Sequence, residues 1–374
     1  MTTELREAAR ETIEVVASAG TYPVFVGPGL LDRIARVLDM HAPAHRVAVI
    51  SDDQVGPLYG REVAERLREA GHDVTVLTFP SGEASKNRTW WAALTDEMLG
   101  AGLGRDCAVV GVGGGVTTDL AGFVAATYLR SVPIIQVPTS TLAMIDASVG
   151  GKAGVDVPAG KNLVGAFYAP RAVVADTSVL TTLNALHRSE GLVEAVKHGA
   201  IRDEAHMISV RRSVPGLLAA DAAICADVIA RSVRIKAEVV AEDEFEQGLR
   251  QILNFGHTIG HALEAAANYR IGHGRAVAYG MVAEARIGEA LGITDEGTAA
   301  RLAEALSPLT ERGRLDVDAS HARTFLGADK KSRGGRVRFV LLRRIGEVAH
   351  EQGWTHEVGE EVARDALNEI LHGW

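Results

Sequence analysis

The stretch CAVVGVGGGVTTDLAGFVAATYLR (107–130) decides how the chain is read. Residues 107–112 form an unbroken apolar run rich in valine, the pattern of a strand buried on both faces. Gly113, Gly114 and Gly115 follow directly, and Thr117, Thr118 and Asp119 open a stretch with helical spacing. Such a turn offers a helix start, with its unpaired N–H groups and positive dipole end, at a place where no side chain blocks a diphosphate. The motif is not GxGxxG, so the glycines alone also fit an ordinary tight strand-to-helix turn.

Outward from this stretch, YPVFVG (22–27), RVAVISDD (46–53), DVTVLTFP (73–80), PIIQVPTS (133–140) and AVVADTS (172–178) read as further strands. GREVAERLREAG (60–71) and TWWAALTDEMLGAG (89–102) carry helical spacing and end on glycine. Residues 1–185 are therefore expected to form a doubly wound α/β domain with a parallel sheet, binding a dinucleotide. From 186 to 374 strand signals shrink to RVRFVLL (336–342), and a mainly helical domain is expected. The opening MTTELREAARETIEVVASAG (1–20) reads as charged and helix-prone, without the pattern of a signal peptide.

A length of 374 residues suits two domains. A net charge of -9 with scattered lysine and arginine argues against nucleic acid and anionic membranes as partners. Two cysteines, Cys107 and Cys225, form no framework, which fits a reducing cytoplasm and leaves no thiolate metal site.

In the second half, RQILNFGHTIGHALEAAANYRIGH (250–273) concentrates three histidines in an apolar, alanine-rich segment expected to be helical. His257 and His261 are four apart and share a helix face, a spacing that suits two ligands of one metal ion; His273 follows a glycine break. Packed or solvated histidines give the same pattern. SEGLVEAVKHGAIRD (189–203) places Glu194, Lys197 and His198 within about one helical turn. Glu194 can complete a catalytic metal site of three protein ligands with an open position, with His198 a rival by spacing. DASVGGKAGVDVPAGKNLVGAFYAP (146–170) holds Asp146, Lys152, Lys161 and Asn162 among glycines, read as a mobile loop binding an anionic substrate. Asp52 at a strand end can bind a ribose or cap a helix, and Asp119 can meet a nicotinamide or cap its own helix.

Six motifs occur in order: GGGVTTDLAGFVAATYLR, QVPTSTLAMIDASVGGKAG, GKNLVGAFYAP, EAVKHG, LRQILNFGHTIGHALE and ADKKSRGGRVRFVLL. With them the chain resembles the sugar phosphate cyclases of the 3-dehydroquinate synthase family, from about residue 22 to 350. The resemblance implies bound NAD and one divalent ion, zinc or cobalt, held by Glu194, His257 and His273. It makes His261 a substrate contact and gives His198 no role. The implied substrate is 3-deoxy-arabino-heptulosonate 7-phosphate. Asp146, Lys152, Lys197, Asn162, His261 and Arg130 match catalytic positions; Lys161, Lys236, Arg250, Asn254, Lys330 and Lys331 match substrate contacts. On the cofactor side the matches are Asp52, Glu83, Lys86, Gly114, Gly115, Val116, Asp119, Thr139, Ser140, Leu142 and Thr182. A homodimer and a cytoplasmic location are also implied. Ser140 replaces the second threonine of the usual PTT, Arg275 the glutamate of HGEAV, and TTLNALHRSEG (181–191) lacks the usual PPRE, putting Asn184 and His187 near the expected adenine end. Rival readings are a cyclase acting on an amino analogue or sedoheptulose 7-phosphate, and an NAD- and metal-dependent alcohol dehydrogenase of the glycerol dehydrogenase type.

Overall fold

Seven apolar runs pair into one sheet. In chain order the first part contains β1 (Glu11–Ala17), β2 (Gly20–Gly27), α1 (Ile34–His41), β3 (Arg46–Asp52), α2 (Arg61–Glu69), β4 (Asp73–Phe79), α3 (Arg88–Gly100), β5 (Ala108–Gly113), α4 (Gly115–Thr127), β6 (Ile134–Pro138), β7 (Lys152–Val157), β8 (Gly160–Phe167) and β9 (Ala172–Asp176). The sheet order is β1-β2-β9-β6-β5-β3-β4, parallel throughout except for the antiparallel β1–β2 hairpin. The computed structural model describes residues 8–268, 270–332, 337–351 and 353–374, with side chains outside 327–332.

The central strands β2, β9, β6, β5 and β3 are apolar without alternation because both faces are covered, whereas the edge strands β1 and β4 alternate. Val109, Val110 and Val112 of β5 are fully buried, each contributing about 2 kcal/mol of transfer free energy. α3 and α4 close one face through Leu94, Met98, Leu120 and Val124, which pack with Ile50, Phe79 and Val109. Gly71 and Gly102 follow α2 and α3 at φ 97° and 69°, where the chain turns through the left-handed region. Because β4 leads back past β3 to β5, the strand order reverses between β3 and β5, and their carboxyl ends, Asp52 and Gly113, flank that crevice.

Two sequence expectations need correction. Glu11–Ala17 is a strand, not helix: Ile13 and Val15 point inward while Glu14 and Val16 are exposed, the period of a half-covered edge. The glycine-rich 146–170 segment is not a mobile loop in its centre, since β7 and β8 form an antiparallel hairpin, with Gly154 opposite Gly165. A Cβ on either glycine would meet the facing backbone at 2.8 or 2.3 Å, and one on Gly122 of α4 would meet Ala153 at 2.9 Å. These glycines permit close packing of chain against chain.

The second part contains α5 (Ala185–Arg202), α6 (Glu204–Leu218), α7 (Ala222–Glu242), α8 (His257–Ala266), α9 (His273–Ala290), α10 (Thr298–Leu306), α11 (Ala319–Ser332) and α12 (Glu360–Leu371). RVRFVLL yields only short strands, Arg338–Phe339 and Leu342–Arg344, among the described residues. The chain forms two compact units, Met1–Asn184 with Ala219–Glu244, and Ala185–Leu218 with Phe245–Trp374. Thus α7 joins the sheet unit instead of following a single cut at 185, because its apolar face packs on β1, β2 and the turn at 143–147. In the helical unit α9 is central, packing on α5, α8, α10 and α12. Gly256 and Gly260 meet Gly280 and Val277, so α8 and α9 cross with backbones in contact. Among the described residues no helix is long and apolar enough to cross a membrane.

Candidate active site

In the sheet unit, the glycine turn leads into α4 with Gly114 as its first flanking residue and no side-chain cap. A Cβ on Gly113 would meet Thr117 Oγ1 at 2.3 Å, so only glycine fits there. Gly114, Gly115, Val116 and Asp119 are partly exposed on the first turn and a half of α4. Thr139 donates its N–H to Gly113 O at 2.8 Å, and Ser140 Oγ accepts from Ala143 N at 3.3 Å, capping the turn that Leu142 precedes. The uncapped helix start and the missing side chains fit a dinucleotide diphosphate. Asp52 spans the crevice: one oxygen accepts from the N–H groups of Gln54 and Val55, the other from Thr117 Oγ1 at 3.2 Å. Asp52 thus holds the turn at 53–55 that follows β3. Thr182 hydrogen-bonds Tyr59 Oη at 2.8 Å.

Beside α4 lies a charged cluster. The buried Lys86 Nζ stands 2.9 Å from Glu83, 3.3 Å from Asp119 and 3.7 Å from Asp156, and Lys161 is 3.6 Å from Glu83. Burial works against the Lys86 charge, but the three carboxylates outweigh it and hold its pKa above the usual lysine value. Burial pushes Asp119 up to about 6, which Lys86 only partly offsets. Asp156 also accepts from the Asn162 N–H at 2.8 Å, tying the β7–β8 hairpin to this cluster. Lys236 of α7 is buried and pairs with the Asp146 carboxylate and carbonyl. Arg130 lies past the far end of α4, about 20 Å from Gly115, in a segment where Leu129, Arg130 and Ser131 all have positive φ.

The helical unit holds two groups of residues that could ligate a metal ion, Glu194 with His257 and His273, and His261 with Glu264 and His273. Glu194 is fully buried in α5 and paired with the equally buried Lys197. Its Oε1 lies 3.7 Å from His257 Nε2 and 3.5 Å from His273 Nε2. Ligands about 2.1 Å from one tetrahedral ion stand about 3.4 Å apart, close to both carboxylate–imidazole distances, and all three atoms lie within 4.8 Å of one another, so the set suits such an ion. Each histidine is the first residue of a helix, α8 after Gly256 and α9 after Gly272. The expected continuous helix from 250 is broken: Leu249–Asn254 is a 3-10 turn, and the chain turns at Gly256 with φ 81°. His261 does share a face with His257, with ring centroids 5.1 Å apart, but its side chain is 59% exposed and it is absent from the Glu194 group. Burial, then Lys197, lowers the His257 pKa to about 3. Burial also acts on His273, yet hydrogen bonds to Glu194 and Glu264 raise it to about 10. His198 is buried on α5 and belongs to neither group of potential ligands found among the described residues.

Residues 76–190 match the family model of the 3-dehydroquinate synthase N-terminal domain, and residues 191–332 that of its C-terminal domain. The chain belongs to the 3-dehydroquinate synthase family. A 3-dehydroquinate synthase of Symbiobacterium thermophilum is 48% identical over 334 residues, covering 87% of this chain and 92% of that one. Among solved structures, 2-deoxy-scyllo-inosose synthase complexed with carbaglucose-6-phosphate, NAD+ and Co2+ is 26% identical with a TM-score of 0.86, covering 97% of this chain and 100% of that one. The 2-epi-5-epi-valiolone synthase ValA of Streptomyces hygroscopicus, with NAD+ and Zn2+ bound, is 27% identical with a TM-score of 0.83, covering 93% and 96%. The family is one of NAD- and metal-dependent cyclases, and the chain is a lyase of that kind.

Departures from the family pattern now have places. Arg275 points to Glu311 at 3.4 Å and lies over the Tyr279 ring, so its charge is answered away from the ligand set. His187 pairs with Glu190 on α5, and Ser140 keeps the hydroxyl beside Gly114. Arg250 is wholly buried, and Asn254 donates to Glu246 at 2.6 Å. A cavity of about 310 Å³ opens beside Asn254, Glu246 and Arg338, and Glu194, His257 and His273 are not among its lining residues. The side chains of Lys330 and Lys331 lie outside the described residues. Sequence reading missed Asp156, Glu264 and Glu284. Glu264 had a signal, three residues after His261 on the same face, and Glu284 was the lone acid in the apolar run AYGMVAEA (278–285).

Proposed function

We propose that Glu194, His257 and His273 hold the divalent ion and that the sheet unit binds NAD at its glycine turn, for conversion of 3-deoxy-arabino-heptulosonate 7-phosphate to 3-dehydroquinate and phosphate. The observation that carries this is the convergence of Glu194 Oε1 on two histidine nitrogens at 3.5 and 3.7 Å. When bound, the cation polarises a secondary alcohol and NAD takes up its hydride and returns it, so that no cofactor is consumed.

This chain's residues bind and orient. Lys197, buried against Glu194, pairs with the ligand carboxylate and fixes its orientation. Lys152, Lys161 and Asn162 share one hairpin and supply donors for the substrate's carboxylate and phosphate. Lys236 holds Asp146, and the Lys86 cluster fixes the position of Asp119 at the start of α4. Such a set of cationic groups has no use in oxidising an uncharged alcohol, which favours a cyclase over a dehydrogenase of the glycerol type. Holding the ring-opened product in one conformer is enough to direct the closing aldol step. We assign a homodimer and a cytoplasmic location on the same family grounds.

The test is phosphate release from the heptulosonate phosphate with NAD and zinc or cobalt, while following NADH absorbance. Release without net NADH, abolished by chelator and by His257→Ala, is expected. Turnover of sedoheptulose 7-phosphate alone would move the chain to another cyclase activity, and steady NADH accumulation from a simple alcohol would make it a dehydrogenase.

A further inference from the structure

His273 has a buried carboxylate at each ring nitrogen. Nε2 lies 3.5 Å from Glu194 Oε1, and Nδ1 lies 3.4 Å from Glu264 Oε2. Glu264 is 3% exposed on α8, and its Oε2 is also 4.0 Å from His261 Nε2. A neutral imidazole carries one N–H and one lone pair, and the hydrogen bond made by one nitrogen decides which faces the other way. An ionised carboxylate only accepts, so without an ion both ring nitrogens donate, Nε2 to Glu194 and Nδ1 to Glu264. When an ion displaces the Nε2 proton, the hydrogen bond to Glu264 keeps the remaining proton on Nδ1 and leaves the Nε2 lone pair for the ion.

We propose that Glu264 is a positioning residue of the metal centre, accepting from His273 Nδ1 and so fixing the ring orientation and tautomer in which Nε2 meets the ion. The proposal rests on the reading of Glu194, His257 and His273 as the ligands. His261, Glu264 and His273 form a second possible ligand group, and the two groups share His273. The Glu194 group is the more enclosed, because His261 is 59% exposed, and it leaves Glu264 behind the ring as its support. The geometry is built in by the fold: α8 carries both His257 and Glu264, and its glycine-mediated contact with α9 brings the two to opposite sides of the residue that starts α9.

The test compares wild type, Glu264→Ala, Glu264→Gln and His273→Ala as full chains. The readouts are the zinc Kd by chelator competition and the visible bands of the cobalt-loaded protein. Glu264→Ala is expected to weaken zinc binding by about 10–100-fold and to shift the cobalt bands. Glu264→Gln should recover much of both, since its amide oxygen still accepts from Nδ1. Melting of the metal-free Glu264→Gln protein close to wild type would confirm that the fold is intact. If His273→Ala loses zinc while both Glu264 variants bind it as wild type with unchanged bands, the proposal is overturned and the ligand reading stands. If His273→Ala binds zinc as wild type, the ligand reading fails instead. Retention of zinc by Glu194→Ala with complete loss in both Glu264 variants would make Glu264 itself a ligand and also overturn the proposal.

Discussion

His257 and His261 are the same residue type one helical turn apart, and they are in different positions chemically. His257 is buried against Glu194 and Lys197, whereas His261 projects from α8 with most of its side chain exposed. His261→Ala is therefore expected to leave the zinc Kd within a few-fold of wild type while kcat/KM falls by about 10²-fold or more, a split read by metal titration beside phosphate release. Glu284 makes a second prediction. It is fully buried, accepts from the N–H groups of Gly256 at 2.7 Å and Ile259 at 3.3 Å, and burial outweighs these bonds to push its pKa up to about 8. A carboxyl whose folded pKa lies above its unfolded value stabilises fully below the unfolded value, and that contribution is lost as pH rises through the folded one. Glu284→Gln removes this titration. The melting-temperature advantage of wild type over the variant should shrink between pH 5 and pH 8.5.

At the scale of elements, the ligand set depends on how closely helices approach. Gly272 and Gly274 flank His273, and a Cβ on Gly274 would meet the Glu190 backbone at 2.4 Å, one turn before Glu194 on α5. Backbone cannot yield as a flexible side chain does. Gly274→Ala is expected to cost about 1–3 kcal/mol by denaturant unfolding and to weaken zinc binding, because it pushes α9 away from the helix carrying Glu194. Much of this architecture was legible before the structure. The valine-rich runs and their glycine-ended helices announced the parallel sheet, since double burial leaves no alternation to mask them. β1 was missed although Ile13 and Val15, alternating with Glu14 and Val16, carry a period of two, because nearby charges and alanines resemble a helix. The β7–β8 hairpin was missed because glycine reads locally as freedom, while here it serves contact across strands.

For the molecule as a whole, the two compact units divide the chemistry, and α7 crosses the apparent boundary to bring Lys236 to Asp146. A single chain has a mass of 39.6 kDa. Light scattering is expected to return twice that value, in keeping with the homodimer assigned above; a stable monomer with full activity would remove that assignment.

Sequence alone carried most of the strand and helix types, the glycine turn between β5 and α4, and, once six motifs could be read together, the proposal of Glu194, His257 and His273 as ligands. These are properties of local pattern and of order along the chain. The tertiary structure decided the pairing: that His273 and not His261 joins His257 at Glu194, that Asp52 bonds Thr117 across the crevice, and that Arg275 turns to Glu311. It also decided which acids stand behind the site. Glu264 and Glu284 acquire their partners where α8 and α9 cross through Gly256, Gly260 and Gly280, and the approach of one helix backbone to the other is written in neither helix's own pattern.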